Sequence, residues 1–255
     1  MIIRKSPQEI EAMARAGGVV AATLELLGES IRPGVTTQEL DEIAETFIRS
    51  QGGIPTFKGY HGFPGSICAS PNAMVVHGIP GPYRLAGGDI ISVDVGVTLD
   101  GFVADSAFTF AVGEIGSEAQ RLLDACQAAL AAGIDQARPG SHVGDLSSAV
   151  QRTTEAAGFS VVRTLVGHGI GRSMHEEPQI PNFGEPGRGP KLAPGMTLAI
   201  EPMINAGDPG VLVEKDGWSV STTDGSLSAH FEHTVAVTED GPRILTRATV
   251  GSLLG

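Results

Sequence analysis

Apolar residues recur at helical spacing in four stretches of this chain, and the polar residues and breakers between them mark where each element begins and ends. Ser6-Pro7-Gln8-Glu9 has the form of a capping box with proline at the first helical position, and the spacing after it predicts a helix to about Leu27. After Arg32-Pro33-Gly34, Thr36 and Glu39 form a second box, and the Leu40, Ile43, Ala44, Phe47 stripe predicts a helix running to Gly52-Gly53. Ser117 with Gln120 predicts a third capped helix through about Ala132. Arg138-Pro139-Gly140 then leads into a fourth helix that ends at Gly158.

Strands are predicted where apolar runs replace the helical period. The runs Ile90 to Val97 and Phe102 to Val112 flank Asp100-Gly101, a hairpin signal because both central residues of a type I′ turn need positive φ. With that turn, Leu99 pairs with Phe102 and Asp94 with Ala107, and Asp105 lies diagonal to Asp94 on one face, roughly 7 Å away. Met196 to Ile200 ends in Glu201, and His233 to Val237 opens from Glu232. Residues 51–82 are rich in Gly, Pro and Ser but also hold Tyr60, His61 and Phe63, which predicts a packed loop and not a linker.

The pattern repeats. Leu85-Ala86-Gly87-Gly88-Asp89-Ile90-Ile91-Ser92-Val93-Asp94 aligns without gaps on Leu192-Ala193-Pro194-Gly195-Met196-Thr197-Leu198-Ala199-Ile200-Glu201, and in each half the same Arg-Pro-Gly tripeptide stands between the two helices. A period near 107 residues is too long for a solenoid unit, so the expectation is one domain, 1–255, of two similar α+β halves, about 6–113 and 117–246. Asp94 and Glu201 then meet at a shared centre.

Composition narrows the class. At 41% hydrophobic and 18% charged the chain is expected to fold as an ordinary globular protein, and a net charge of −12 with only 17 Lys and Arg argues against nucleic-acid binding. No apolar run reaches the roughly 18 to 20 residues of a membrane span, and the start Met1-Ile2-Ile3-Arg4-Lys5 has no signal-peptide core, so a cytoplasmic location is expected. Cys68 and Cys126 are too few for a disulfide framework and read as reduced.

Asp94, Asp105, Glu201 and Glu232 each sit in or beside an apolar strand. A single acid at a strand end is more often simply solvated, but a pair facing each other in an apolar hairpin loses hydration, at several kcal/mol, unless cations compensate. Four carboxylates match two divalent ions in charge, and bridging carboxylates are what a two-metal site needs. The segment Gly167-His168-Gly169-Ile170-Gly171-Arg172-Ser173-Met174-His175-Glu176-Glu177-Pro178 has Arg172 where a dinucleotide loop needs glycine and Gln179 where a zincin helix needs histidine. Its two histidines, seven apart among glycines, fit a site better than a turn. Oxygen-rich ligation with one imidazole favours Mn, Fe, Co or Zn.

The strings VVHGIP, SVDVGVTLDGFVADSAFTF, GHGIGRSMHEEP, LAIEPM and FEHTVAV, in this order and spacing over nearly the whole chain, closely resemble those of type I methionine aminopeptidases. The resemblance implies the pita-bread fold: α+β, two pseudo-twofold related halves around a central curved antiparallel sheet. It implies two divalent metal ions, with Asp94 on one, Asp105 and Glu232 bridging, and His168 and Glu201 on the other. It further implies removal of the initiator Met from nascent chains when the next residue is small, through a metal-bridging water or hydroxide, with Glu201 as proton shuttle.

His175 and His77 match imidazoles that contact the peptide, His175 toward the scissile carbonyl and His77 on the amide side. Tyr60, Phe63, Cys68, Met174 and Trp218 match positions walling the Met side-chain pocket, where a polarisable apolar lining suits a thioether. Only 30 residues separate Glu201 from Glu232, which excludes the long insert of the type II branch and looks like the compact bacterial form, a monomer. In 184–191 only Arg188 and Lys191 are basic, a slim basis for transient ribosome contact. Two rivals remain, a proline-specific peptidase of the same fold and a pita-bread protein that binds partners without catalysis. The first is expected to carry an extra N-terminal domain, and the five intact ligands speak against the second.

Overall fold

The computed structural model describes residues 1–247. Helices α1 (Pro7–Ser30) and α2 (Thr37–Ser50) come first, each entered through the capping box read from the sequence: Ser6 with Glu9, and Thr36 with Glu39. Residues 51–82 are less of a loop than expected, since they form the short strands β1 (Ile54–Pro55), β2 (Cys68–Pro71) and β3 (Met74–Val76). β1 and β2 pair with the hairpin strand that follows them, and Asp41 on α2 accepts from the backbone N–H groups of Ser66 and Ile67 at 2.7 and 3.0 Å. Periodicity could not show these strands, because each is too short to repeat.

The hairpin is β4 (Ile90–Leu99) and β5 (Phe102–Ala111), in the predicted register, with Leu99 opposite Phe102 and Asp94 opposite Ala107. Asp100 and Gly101 have φ of 51° and 78°, as a type I′ turn requires. Helices α3 (Ser117–Asp135) and α4 (Val143–Ala156) follow. Ser117 does not cap α3. Gly116 is the cap residue, with extended φ and ψ and no side-chain bond, and the helix runs three residues past Ala132.

The remaining strands are β6 (Ser160–Val161), β7 (Val166–Gly169), β8 (Glu176–Pro181), β9 (Thr197–Ile200) and β10 (Met203–Asn205). Then come β11 (Val211–Val213), β12 (Val220–Thr222), β13 (Ser228–His230), β14 (His233–Thr238) and β15 (Gly241–Ile244). They form a five-stranded sheet in the order β15-β14-β9-β7-β8 and two small sheets, β13-β10-β6 and β11-β12-β3. Among the described residues every pairing is antiparallel.

The two Arg-Pro-Gly turns make equivalent bonds. Gly34 N–H donates to Leu85 O at 2.8 Å, and Gly140 N–H to Leu192 O at 3.0 Å. Both glycines hold positive φ, 96° and 93°, which an L side chain would strain.

Alternation along the strands separates core from site. On β4, Ile91, Val93, Val95 and Val97 pack with α1 and α2, leaving Ser92, Asp94 and Gly96 on the other face. On β9 and β14, Leu198, Ile200, Val235 and Val237 join the core under α3 and α4, which turns Glu201, Glu232 and Thr234 the opposite way. The acids therefore point away from both helix layers. Among the described residues no helix is long and apolar enough to cross a membrane.

Candidate metal centre

Backbone pairing brings the four acids together. Ile200 pairs with His233, so Glu201 and Glu232 stand immediately beyond the same end of the β9–β14 ladder. Glu232 N–H donates to Ala107 O at 2.9 Å, and Ala107 lies across the hairpin from Asp94. Thr234 Oγ1 accepts from Asp105 N–H at 2.9 Å and donates to Asp105 O at 2.7 Å, joining β14 to β5 beside the acids. His168 on β7 pairs with Ala199 on β9 and enters from the far side.

Ligand atoms of Asp105, His168 and Glu232, all buried, lie within 4.8 Å of one another. His168 Nε2 is 3.5 Å from Glu201 Oε1 and 4.0 Å from Asp105 Oδ2. Its Nδ1 lies 2.9 Å from Gly169 O, and a proton donated there leaves the Nε2 lone pair facing the acids.

Burial pushes the Asp94 carboxyl up to about 7. Burial first, and then neighbouring carboxylates, push Asp105, Glu201 and Glu232 well above the usual range. Burial also lowers His168 to about 4, so its imidazole is neutral at physiological pH.

These residues fit divalent cations. Among the described residues, six buried side-chain N and O atoms have no hydrogen-bond partner, and four belong to this cluster: Asp94 Oδ1, Asp105 Oδ1, Glu232 Oε1 and His230 Nε2. Unpaired buried carboxylate oxygens cost several kcal/mol unless a counter-ion occupies the space between them.

The cluster forms the floor of a cavity of about 460 Å³ lined by all twelve residues singled out in the sequence. Cys68 on β2 stands directly opposite Asp94 on β4, so the apolar wall adjoins the acids. Phe63 and Trp218 meet edge to face, with centroids 5.2 Å apart. Gly96 keeps this wall close, since a Cβ there would come within 2.7 Å of Met174 Cε and 2.8 Å of Phe57 Cε1.

At the rim, Tyr60 Oη lies 2.7 Å from His175 Nδ1, and the His175 ring is 4.3 Å from that of His168. The loop carrying Met174 and His175 is tied down by Glu176, which accepts from Arg172 N–H at 2.9 Å and pairs with buried Lys5 Nζ at 2.6 Å. His77 follows β3 with φ of 58° and is exposed at the cavity mouth.

Sequence reasoning missed His230. Its signal was its place two residues before Glu232, since alternate residues of an extended chain share a side, but a lone histidine at a strand end could equally face the core. Burial lowers its pKa to about 3. Phe57, Val76, Thr164, Leu165, Val166 and Met203 also line the cavity without having been assigned to the site, as does His61, read from the sequence only as part of a packed loop.

Residues 11–239 match the model of metallopeptidase family M24. The chain is 54% identical over 246 residues to a methionine aminopeptidase of Clostridium perfringens, covering 96% of this chain and 99% of that protein. It is 53% identical over 247 residues to methionine aminopeptidase 1 of Bacillus subtilis, covering 97% and 100%. The crystal structure of methionine aminopeptidase from Rickettsia prowazekii superposes with a TM-score of 0.96 at 43% identity, over 97% of this chain and all of that one.

Proposed function

The chain belongs to metallopeptidase family M24 and has its α+β pita-bread fold, and from this premise we propose that it removes N-terminal methionine from nascent polypeptides whose second residue is small. The observation that carries the reading is the convergence of unpartnered buried carboxylate oxygens on the floor of an apolar cavity.

M24 membership brings divalent metal use with it, and two ions are the proposed complement. Asp94 would hold one, Asp105 and Glu232 would bridge, and His168 with Glu201 would hold the other. Divalent ions there supply Lewis-acid polarisation of a carbonyl and make water nucleophilic near neutral pH. Mn, Co, Fe and Zn all suit this donor set.

The chain's own residues account for the rest of the chemistry. Glu201, part-open to the cavity, takes a proton from the attacking water and passes it to the departing amine. Tyr60 Oη donating to His175 Nδ1 leaves Nε2–H to donate to the scissile carbonyl oxygen as negative charge grows on it. His77, at the mouth, takes the amide side. Phe63, Cys68, Met174 and Trp218 hold the thioether in a polarisable apolar wall.

The matching bonds of the two Arg-Pro-Gly turns support the two-halves reading, about 6–113 and 117–246, in one catalytic domain; residues 248–255 lie outside the described structure. A cytoplasmic monomer acting on nascent chains, with transient ribosome contact, completes the proposal.

The test is release of free methionine from defined peptides by metal-supplemented protein. Met-Gly and Met-Ala peptides should be cleaved and Met-Leu peptides hardly at all. Cleavage of X-Pro peptides without methionine release would assign the chain to the proline-specific branch, and no cleavage of any peptide would leave a binding protein.

A further inference from the structure

One buried group in the centre has no part in the five-residue ligand set. His230 is 2% exposed, and its Nε2 has no hydrogen-bond partner. A structural histidine in a core normally satisfies its ring nitrogens. The backbone here is held from both sides by one hydroxyl, because Thr109 Oγ1 accepts from His230 N–H at 2.9 Å and donates to His230 O at 2.8 Å. Phe231 then turns into the core under α3, and Glu232 follows on the His230 side.

This places His230 Nε2 at 3.8 Å from Glu201 Oε2 and 3.9 Å from Glu232 Oε2. Those separations are too long for hydrogen bonds, whose heavy atoms sit roughly 2.7 to 3.2 Å apart. They suit two donors on one cation, since ligand bonds of about 2.0 to 2.2 Å hold neighbouring donors about 3 to 4 Å apart. His168 shows the same spacing, and the two oxygens of Glu201 divide between the imidazoles, Oε1 toward His168 and Oε2 toward His230.

We propose that His230 is a further metal ligand, its Nε2 joining Glu201 and Glu232 on one divalent cation, so that the centre has four carboxylates and two imidazoles. The proposal rests on the metal-centre reading above. A second nitrogen donor shifts the preference of the centre from Mn toward Fe, Co and Zn.

The experiment is pulsed electron paramagnetic resonance of the protein saturated with Mn²⁺, counting directly coordinated imidazole nitrogens, with calorimetric titration of Mn²⁺ and Co²⁺ alongside. The native protein should show two nitrogens and His230→Gln one, with Co²⁺ affinity lower by about tenfold or more in the variant, the scale at which lost metal-site support is felt. A single nitrogen in the native protein, or two that persist in His230→Gln, overturns the assignment. The native count needs no variant, so a misfolded His230→Gln does not block the decision. Failure of the native protein to bind either cation would sink the metal-centre reading itself, whereas cation binding with one nitrogen sinks only the role of His230.

Discussion

Two polar pairs lie on the same face of the β4–β5 hairpin, their members two residues apart on β4 and four apart on β5, and have opposite fates. Ser92 and Thr109 face each other at 2.8 Å, and Thr109 also holds both backbone groups of His230, so the pair is satisfied within the protein. Asp94 and Asp105 each keep a buried oxygen with no partner. Polarity alone does not distinguish the pairs, since both interrupt apolar strands. What differs is satisfaction: hydroxyls donate and accept and so complete each other, whereas ionised carboxylates only accept and need an outside cation. The first pair joins the hairpin to the strand carrying His230, and the second is poised for a ligand.

Substitutions should separate the pairs, beginning with the largest effect. Asp105→Ala should lower methionine release on the order of 10³-fold or more, because the Lewis-acid contribution is worth several kcal/mol. The same protein, metal-free at pH 8, should melt no lower than the native chain, since a repelling carboxylate has gone; a folded Asp105→Ala with near-native turnover would show that the pair is not a ligand set.

Added Co²⁺ or Mn²⁺ should stabilise the native protein in thermal melts by about 2.7 kcal/mol at a hundredfold excess over Kd. That gain should shrink between pH 7.5 and pH 5.5. The Asp94 carboxyl, raised to about 7, and its raised neighbours hold protons increasingly as pH falls, and bound protons compete with the cation. A stabilisation independent of pH in this window would count against the carboxylates as the binding groups.

Thr109→Val should destabilise the fold on the order of 2 kcal/mol in urea melts with or without metal, because it strands the N–H and C=O of His230. Ser92→Ala should cost about 0.5 to 1 kcal/mol, since Thr109 keeps its bonds to His230. Turnover equal to that of Asp105→Ala in Ser92→Ala would erase the distinction between the pairs.

The sequence by itself determined those features that follow from a local rule. The helix starts at Pro7 and Thr37 came from capping boxes, and the hairpin register from a two-residue turn whose conformation only residues like Asp and Gly adopt readily. The rule failed at α3, where Gly116 supplies the cap position and Ser117 is already helical. The internal repeat linked Asp94 to Glu201, and the family resemblance carried the remaining site residues to the cavity that now holds them.

Only the tertiary structure decided which side chains go unsatisfied. His230 and Phe231 are neighbours with opposite destinations, one to the acids and one to the core, and no periodicity is long enough there to choose between them. The choice is made by Thr109, 121 residues away in the chain, which clamps the backbone so that the imidazole turns toward Glu201 and Glu232. A capping box or a turn is settled by residues within a few positions of one another, whereas the environment of a buried polar atom is settled by whatever the whole fold brings against it.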